Sequence, residues 1–315
     1  MKLACINDWH DKKSAIFWNK DGFLKMLDVL RKRDGWDVKF FKKHDKSFEW
    51  EHDYVTLNFS PDPVKALKDW KPDAVLGFSD FSRPYLKELG DLPIGLCYTG
   101  GRFTDYEKIP DVVFVESKTY LDWMRSRGLK NVRQVFGTNT EIFKPTPQPK
   151  VFDAYFPATG ADWKRHHLFA KAMGSKGLVS GWWQPHEPHC LKVCVDNKTA
   201  VLHHQMPESV NYLYNMAKTV LITSSDIGGS QRSVLEAMAC GIPPIVMSDS
   251  TMTTEYVREA GFGAICEPNV PDIQKAVADL IANPQDPQKG IAYIRGKFTE
   301  NHYADGVKEG ILSIL

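Results

Sequence analysis

Residues 223–247, TSSDIGGSQRSVLEAMACGIPPIVM, constrain the fold more than any other part of the chain. The apolar run before the segment's turn, Thr219 to Ile222, predicts a buried strand, and Ile245 to Met247 predict a second one. Between them we expect a glycine turn and then a helix from about Gln231 to Ala239, because its apolar residues recur at helical spacing. Gly241 follows the helix, where a C-terminal cap favours left-handed backbone. The segment therefore predicts a strand–turn–helix–strand unit of a parallel sheet.

Such a unit carries an anion site at the carboxyl edge of its sheet. The N–H groups of the turn and the positive end of the helix dipole both point towards that edge. The turn residues Gly228, Gly229, Ser230 and Gln231 would offer these N–H groups to a diphosphate. An ordinary glycine turn in a packed βαβ unit explains the same residues. The geometry of the unit alone therefore leaves both a diphosphate site and a purely structural turn open.

The letters SVLEAMACGIPPIV resemble the nucleotide-sugar signature of the GT-B glycosyltransferases, in particular the retaining family 4. In that signature an E-x7-E pair precedes AMACG-P-V. The resemblance implies that Glu236, which matches the second Glu, holds the ribose hydroxyls of the nucleotide. Gly228 stands where the first Glu, which contacts the donor sugar, is expected, and Asp226 is the nearest carboxylate. The nucleotide half of the signature is intact and the sugar half is altered.

Two further segments resemble the same family. FGTNTEIFKP, residues 136–145, is similar to NGVDxxxFxP, and FPATGADWKRHHLFAKAM, residues 156–173, is similar to vGRlxxxKgxxxlixA. Lys164 falls on the motif's lysine, which neutralises the donor diphosphate, and a merely solvated lysine is disfavoured at a helix start. The donor-site residues Thr159 and Gly160 stand where the family has an Arg. Arg232 is the first candidate to replace that charge, with a surface helix residue as the alternative, and Arg165 is a weaker substitute.

Apolar runs that alternate with helical segments predict an α/β chain with doubly wound parallel sheets. Its 315 residues suit two domains of the usual size. We expect an acceptor-binding Rossmann-like domain over 1–148, a nucleotide-sugar-binding one over 149–298, and a helix over 299–315 that packs back on the first domain. The resemblance implies the GT-B arrangement, with both domains facing a central cleft. Predicted helices run over Gly22–Arg33, Pro63–Trp70, Ser82–Leu89, Lys118–Arg127, Lys164–Met173, Glu208–Ala217, Gln231–Ala239, Val270–Ala282 and Gln288–Phe298.

The first domain departs most from the family pattern. Asp8, His10 and Asp80 fall at the carboxyl ends of predicted strands, where they would bind the acceptor or act as a base in an inverting reaction. A plain loop or capping role is the alternative for each. A better acceptor loop follows the strand that ends at Cys97, and it comprises Tyr98, Thr99, Gly100, Gly101 and Arg102.

Metal and cofactor chemistry finds little support in the sequence. The segment from His186 to Cys194 holds two His and two Cys, but it lacks the C-x2-C spacing of zinc sites. No P-loop, G-x-G-x-x-G or G-x-S-x-G pattern occurs, which disfavours ATPases, NAD enzymes and hydrolases. We therefore expect no metal and no cofactor, with a nucleoside diphosphate sugar as donor substrate.

Charge is distributed unevenly along the chain. Residues 1–150 hold 26 Lys and Arg against 22 Asp and Glu, whereas residues 151–315 hold 14 against 17. The excess concentrates between Lys25 and Lys46, where basic and aromatic residues interleave. This stretch predicts either a polyanionic partner, such as DNA or an anionic lipid or glycan, or a solvated helix followed by a strand. Six cysteines without a disulfide pattern and the lack of a long apolar run favour the cytoplasm.

Together these features predict a metal-independent hexosyltransferase that moves a sugar, most simply from a UDP-sugar, to an acceptor hydroxyl. Relation to family 4 implies retention of anomeric configuration. One alternative is a phage-type enzyme that glycosylates hydroxymethylated DNA bases. Another is an inactive GT-B module that binds a nucleotide or glycan. The sequence does not define the oligomeric state.

Overall fold

The chain forms two compact α/β units. The structure is a computed structural model that describes residues 1–7, 22–99, 109–183, 187–226 and 231–315. Unit 1 comprises Met1–Asn139 and Thr299–Leu315, and unit 2 comprises Thr140–Phe298. The helix at the end of the chain thus belongs to unit 1.

The boundary between the units lies earlier than the sequence predicts, after residue 139 rather than residue 148. The proline-rich segment that follows this boundary, residues 144–150, lies in unit 2. Its backbone N–H groups at Lys144 and Thr146 donate to the buried side chains of Asn211 (3.2 Å) and Asn215 (3.0 Å). These two hydrogen bonds hold residues 144–146 against α7.

Strands and helices alternate in both units, which confirms the α/β prediction with its two parallel sheets. The strands are β1 (Lys2–Ile6), β2 (Asp37–Lys43), β3 (Phe48–Glu51), β4 (Thr56–Ser60), β5 (Ala74–Phe78), β6 (Ile94–Tyr98), β7 (Val112–Val115), β8 (Val132–Gln134), β9 (Phe152–Pro157), β10 (Gly177–Gly181), β11 (Ala200–His203), β12 (Ala217–Ile222), β13 (Pro244–Met247) and β14 (Ala264–Cys266). The helices are α1 (Gly22–Lys32), α2 (Pro63–Trp70), α3 (Arg83–Leu86), α4 (Lys118–Ser126), α5 (His166–Met173), α6 (Pro188–Asp196), α7 (Pro207–Met216), α8 (Arg232–Ala239), α9 (Thr251–Ala260), α10 (Val270–Ala282), α11 (Pro287–Lys297) and α12 (Glu300–Leu312).

The sheet of unit 1 has the strand order β3-β4-β2-β1-β5-β6-β7-β8. Among the described strands of this sheet, only β3 pairs antiparallel, at one edge. The central strands β5, β6 and β7 are buried along their whole length. Strands covered on both faces need apolar side chains at every position, which explains their continuous apolar runs.

Helix α12 packs closely against the sheet of unit 1. A Cβ at Gly310 would lie 2.3 Å from the ring of Phe114, and one at Gly95 would lie 2.6 Å from Cδ1 of Ile311. Glycine at these positions lets the helix backbone approach β6 and β7. Arg33, just past α1, adds an ion pair to Asp305 at 2.5 Å.

The sheet of unit 2 is entirely parallel, in the order β11-β10-β9-β12-β13-β14. Strands β9, β12 and β13 are therefore neighbours, and their carboxyl ends lie along the same edge. Helix α8 connects β12 to β13. Gly241, just past that helix, has the left-handed φ of 71° that its cap position predicts.

Four elements, β3, β14, α6 and α9, are not predicted from the sequence. Strand β3 is exposed throughout, β14 has only three half-buried residues, α6 begins at a proline, and α9 begins TMTTEY with β-branched residues. The two strands lack an apolar run, whereas α9 has a buried apolar face (Met252, Tyr256 and Val257) that its β-branched residues obscure. Among the described residues, no helix is both long and apolar enough to cross a bilayer.

Candidate functional site

The predicted donor site lies in unit 2, at the carboxyl edge of β9, β12 and β13. Because the strands are parallel neighbours, the loops that follow them leave from one edge. Two contacts fasten the first two loops together. The Ser225 N–H donates to the carbonyl of Trp163 at 3.0 Å, and the Thr223 hydroxyl donates to the carbonyl of Lys164 at 2.7 Å.

Lys164 is a buried cation at this edge, with 8% of its surface exposed. It lies in a single 3-10 turn, Asp162–Lys164, and α5 begins two residues later than predicted, at His166. Its Nζ donates to Oε1 of Gln231 and lies 4.2 Å from the ring centroid of Trp163. An amide oxygen and an aromatic face both stabilise a buried ammonium group. The fold thus joins two predicted donor-site residues that are 67 positions apart.

Gln231 turns the chain into α8. Its φ of 44° lies in the left-handed region, which costs a non-glycine residue about 1–3 kcal/mol. Helix α8 begins one residue later, at half-buried Arg232. A cation in the first turn of a helix opposes the dipole, so an anion bound there would relieve an unfavourable arrangement. Gly228, Gly229 and Ser230 lie outside the described residues.

Glu236 lies one turn further along α8 and is half-buried. The Tyr214 hydroxyl of α7 donates to its Oε2 at 2.8 Å. Tyr214 is fully buried, with its ring edge-on to Tyr155 at 5.2 Å between centroids. Burial and the neighbouring carboxylate raise the pKa of Tyr214 well above its ordinary value, so the hydroxyl remains a donor. Tyr214 orients Glu236, and no local motif identifies it because the contact spans 22 residues.

Thr159 and Gly160 lie in the loop after β9. The Gly160 N–H donates to the carbonyl of Trp182 at 2.8 Å. A Cβ at Gly160 would lie 3.1 Å from the Trp183 ring. The loop therefore passes close to the chain after β10, with Thr159 half-buried beside it. Their part in donor binding stays a prediction.

Two charged residues near the site form hydrogen bonds or ion pairs with other residues of the protein. The Arg165 guanidinium donates to two carbonyls and pairs with Asp249, so it is not placed as the substitute phosphate ligand. Asp226, the carboxylate nearest to the missing Glu, accepts from the Thr251 N–H at 2.5 Å, at the start of α9.

His166 follows this turn and is 2% exposed. Its ring lies 5.3 Å from Phe156 and 5.4 Å from Trp183, centroid to centroid. Burial, with a smaller contribution from the charge of Lys164, lowers the pKa of His166 to about 4. The imidazole is therefore neutral at neutral pH and adds no charge to the donor site.

Within the part of the chain that the structure describes, the fold forms one group of potential metal ligands. Donor atoms of Asp162, His189 and Cys190 lie within 4.8 Å of one another, because α6 places its first turn beside the 162–164 turn. The spacing argument missed Asp162, which comes from another element. His189 pairs with Asp162, and burial raises the pKa of Cys190 to about 11, so the thiol stays protonated at neutral pH. Aspartate, histidine and cysteine are all zinc-ligand types, so the expectation that the protein binds no metal stays a prediction.

The described residues among those predicted to bind the acceptor fall in unit 1, at the carboxyl ends of β5 and β6. Asp80 is exposed in a 3-10 turn after β5, and Ser79 of that turn donates to the carbonyl of half-buried Thr99 at 2.8 Å. Tyr98 is buried, and burial raises its pKa to about 12, with the charge of Asp80 contributing. The fold thus brings Asp80, Tyr98 and Thr99 together. Asp8, His10, Gly100, Gly101 and Arg102 lie outside the described residues.

The basic stretch from Lys25 to Lys46 is largely neutralised within unit 1. The aromatic residues among the lysines are core residues, and the helix predicted as solvated is buried from Gly22 to Leu30. Lys42 is buried as well. The remaining basic side chains pair with carboxylates in several cases: Lys25 and Lys32 with Asp28, Arg31 with Glu51, Arg33 with Asp34 and Asp305, and Lys39 with Glu49.

Residues 183–297 match the family model described as Glycosyl transferases group 1. The matched segment contains α8 with Glu236. The sequence resemblance to GT-B glycosyltransferases is confirmed by this match and by the fold. No curated protein matches the chain.

Solved structures share the fold over the whole chain. A sucrose-phosphate synthase from Thermosynechococcus elongatus is 15% identical, with 99% of this chain and 98% of that chain covered and a TM-score of 0.77. HepE from Anabaena, in complex with UDP and glucose, is 12% identical, with 99% and 100% covered and a TM-score of 0.74. The lipopolysaccharide outer core galactosyltransferase WaaB is 15% identical, with both chains covered completely and a TM-score of 0.65. At such identities the likeness shows the GT-B fold.

Proposed function

We propose that the chain is a glycosyltransferase that moves a sugar from a nucleoside diphosphate sugar to an acceptor hydroxyl. The arrangement of Lys164, Gln231 and Glu236 at one sheet edge carries this proposal. It places a buried cation beside the start of α8, and a carboxylate one turn along the same helix. A diphosphate at the helix start and a ribose at the carboxylate would use both groups at once.

Lys164 would stabilise the leaving diphosphate. Cleavage of the sugar–phosphate bond builds negative charge on that group, and a preorganised cation lowers the energy of the transition state. The N–H groups before α8 and the charge of Arg232 would add to this stabilisation. In this mechanism the diphosphate needs no divalent cation, so we propose a metal-independent reaction.

Glu236 would accept hydrogen bonds from the two ribose hydroxyls. Tyr214 holds one of its carboxylate oxygens at 2.8 Å, which fixes the group before the nucleotide arrives. For the base we favour uridine. Support comes from HepE, whose structures were solved with UDP and with UDP-glucose. We propose a hexosyl donor and retention of configuration in keeping with family 4, although Gly228 replaces the sugar-contacting Glu.

The acceptor hydroxyl would bind in unit 1, beside Asp80, Tyr98 and Thr99. A polyanionic acceptor, including a hydroxymethylated DNA base, is the second candidate. The ion pairs of the basic stretch argue against that stretch as its binding surface. All six cysteines are free thiols, which supports action in a reducing cytoplasm.

A thermal-shift panel with UDP, GDP, ADP and their sugars tests the proposal. A ligand at 100 times its dissociation constant stabilises its site by about 2.7 kcal/mol, which is an easily measured shift. We expect UDP and UDP-sugars to stabilise the protein most, and Glu236→Ala to reduce the stabilisation by UDP to about half or less. The absence of a shift with every nucleotide would contradict the proposal. A shift with no release of UDP from any UDP-sugar would identify an inactive binding module instead.

A further inference from the structure

Arg165 has an unusual backbone conformation, and its side chain forms several hydrogen bonds within the protein. Its φ of 53° and ψ of 47° place it in the left-handed region, which L side chains rarely adopt. It is the residue directly after Lys164 and directly before α5. Glycine would adopt this conformation without cost, so the presence of arginine points to a use for its side chain.

The guanidinium of Arg165 contacts two loops. Nε donates to the carbonyl of Thr223 at 2.6 Å, and Nη2 donates to the carbonyl of Ser224 at 2.9 Å. Both of these residues are fully buried at the end of β12. Nη1 and Nη2 also form a bidentate pair with Asp249 after β13, at 2.6 and 2.9 Å. Only the planar fork of an arginine serves two carbonyls and a carboxylate together.

The backbone on both sides repeats these connections. Lys164 accepts at its carbonyl from the Thr223 hydroxyl, and Trp163 accepts from the Ser225 N–H. The turn that presents Lys164 is therefore fastened to the loop after β12 by main chain and side chain. That loop leads to Gln231, which receives the hydrogen bond from Lys164.

We propose that Arg165 is a positioning residue that fixes the Lys164 ammonium at the diphosphate end of the donor site. It joins the loops after β9, β12 and β13 at one point, and its charge is neutralised by the ion pair with Asp249. Arg165 acts on the nucleotide through Lys164 and does not contact phosphate. This inference rests on the proposed donor site.

The test compares Arg165→Gly with Lys198→Gly. Lys198 is also left-handed, with a φ of 60°, but it is exposed, so its replacement relieves the same strain without removing the clamp. Calorimetry with UDP and with uridine separates the two ends of the nucleotide. We expect Arg165→Gly to weaken the affinity for UDP about 10-fold or more, because a small displacement of the Lys164 ammonium has a large effect on diphosphate binding. The affinity for uridine, which has no phosphate, should stay within about twofold of the wild-type value. Arg165→Lys should recover little of the loss, and Lys198→Gly should match the wild type.

A double-variant cycle shows whether the effect passes through Lys164. In a Lys164→Ala background, Arg165→Gly should change UDP affinity by less than about twofold, because the group that it positions is gone. A loss equal to that in the wild-type background would overturn the proposal. So would wild-type UDP affinity in Arg165→Gly alone.

A ligand-free readout distinguishes failure of this inference from failure of the proposed function. Amide hydrogen exchange at Ser225, whose N–H is bonded across the two loops, should be about 10-fold faster in Arg165→Gly and unchanged in Lys198→Gly. Unchanged exchange in Arg165→Gly would overturn the clamp. Faster exchange in a protein that binds none of UDP, GDP and ADP would support the clamp and contradict the proposed function.

Discussion

Glu236 offers the sharpest prediction at the scale of a single residue. Glu236→Ala should weaken both UDP and uridine about 10- to 100-fold, because losing a charged acceptor of hydrogen bonds costs about 1.5–3 kcal/mol. Titration calorimetry measures both affinities. Tyr214→Phe is the matched control, since it removes the donor at 2.8 Å and leaves the carboxylate in place. Tyr214→Phe should weaken the affinity for UDP and uridine only a few-fold. An unchanged uridine affinity in Glu236→Ala would contradict ribose binding at this residue.

His166 predicts a pH dependence of stability. Burial lowers its pKa from 6.5 to about 4, so the unfolded chain binds a proton between these values and the folded chain does not. The contribution is fully present above about pH 6.5 and is lost as pH falls towards 4, by up to about 3 kcal/mol. His166→Phe, which keeps an aromatic ring between Phe156 and Trp183, should flatten the decline in melting temperature from pH 7 to 4.5. Parallel profiles for the two proteins would show that another group governs this range.

Helix α12 gives the prediction at the scale of an element. Gly310→Ala would place a methyl group 2.3 Å from the Phe114 ring, and such overpacking costs about 1–3 kcal/mol. The control is Gly296→Ala in α11, where a Cβ meets nothing within 4 Å. There the better helix propensity of alanine should add up to about 1 kcal/mol. Thermal unfolding of the two variants should shift in opposite directions, and a stabilised Gly310→Ala would contradict the packing of α12 on β7.

Elements with a strong apolar pattern are predictable from the sequence to the residue. The bounds of α2 and α10 agree with the prediction. Exposed strand β3 carries no such pattern, and α6 buries only Cys190 and Cys194. Helix α1 shows the converse difficulty, because its basic residues indicate solvent while the fold buries nine successive positions.

Within the donor site, the sequence motif predicts Lys164 and Glu236 but not what holds them. The contacts of Tyr214 with Glu236 and of Asp249 with Arg165 join residues 22 and 84 positions apart. Long-range hydrogen bonds leave no local periodicity, so they are visible only once the sheet has brought the loops together. The pairing of Lys164 with Gln231 belongs to the same class.

At the scale of the whole molecule, the charge excess of residues 1–150 bears on the acceptor. Lys39 pairs with Glu49, while Lys43 is exposed. If ion pairs within the protein neutralise the basic stretch, DNA should not bind there. The double variant Lys39→Ala, Lys43→Ala should then change the slope of log DNA affinity against log salt concentration by less than about one unit. The measurement is DNA affinity between 50 and about 200 mM salt. A slope flattened by about two units would restore a polyanionic acceptor as the favoured partner.

Release of UDP from a UDP-sugar by wild-type protein and by Lys164→Ala tests the central claim most directly. The charge on the leaving diphosphate is greatest in the transition state, so Lys164 should contribute more to kcat than to donor affinity. We expect wild-type protein to release UDP in the presence of EDTA. Lys164→Ala should lower kcat by at least about 100-fold and change the KM for the UDP-sugar much less, because the diphosphate gains its extra negative charge only when its bond to the sugar breaks. Release at the wild-type rate by Lys164→Ala, or release that EDTA abolishes, would contradict the proposed mechanism.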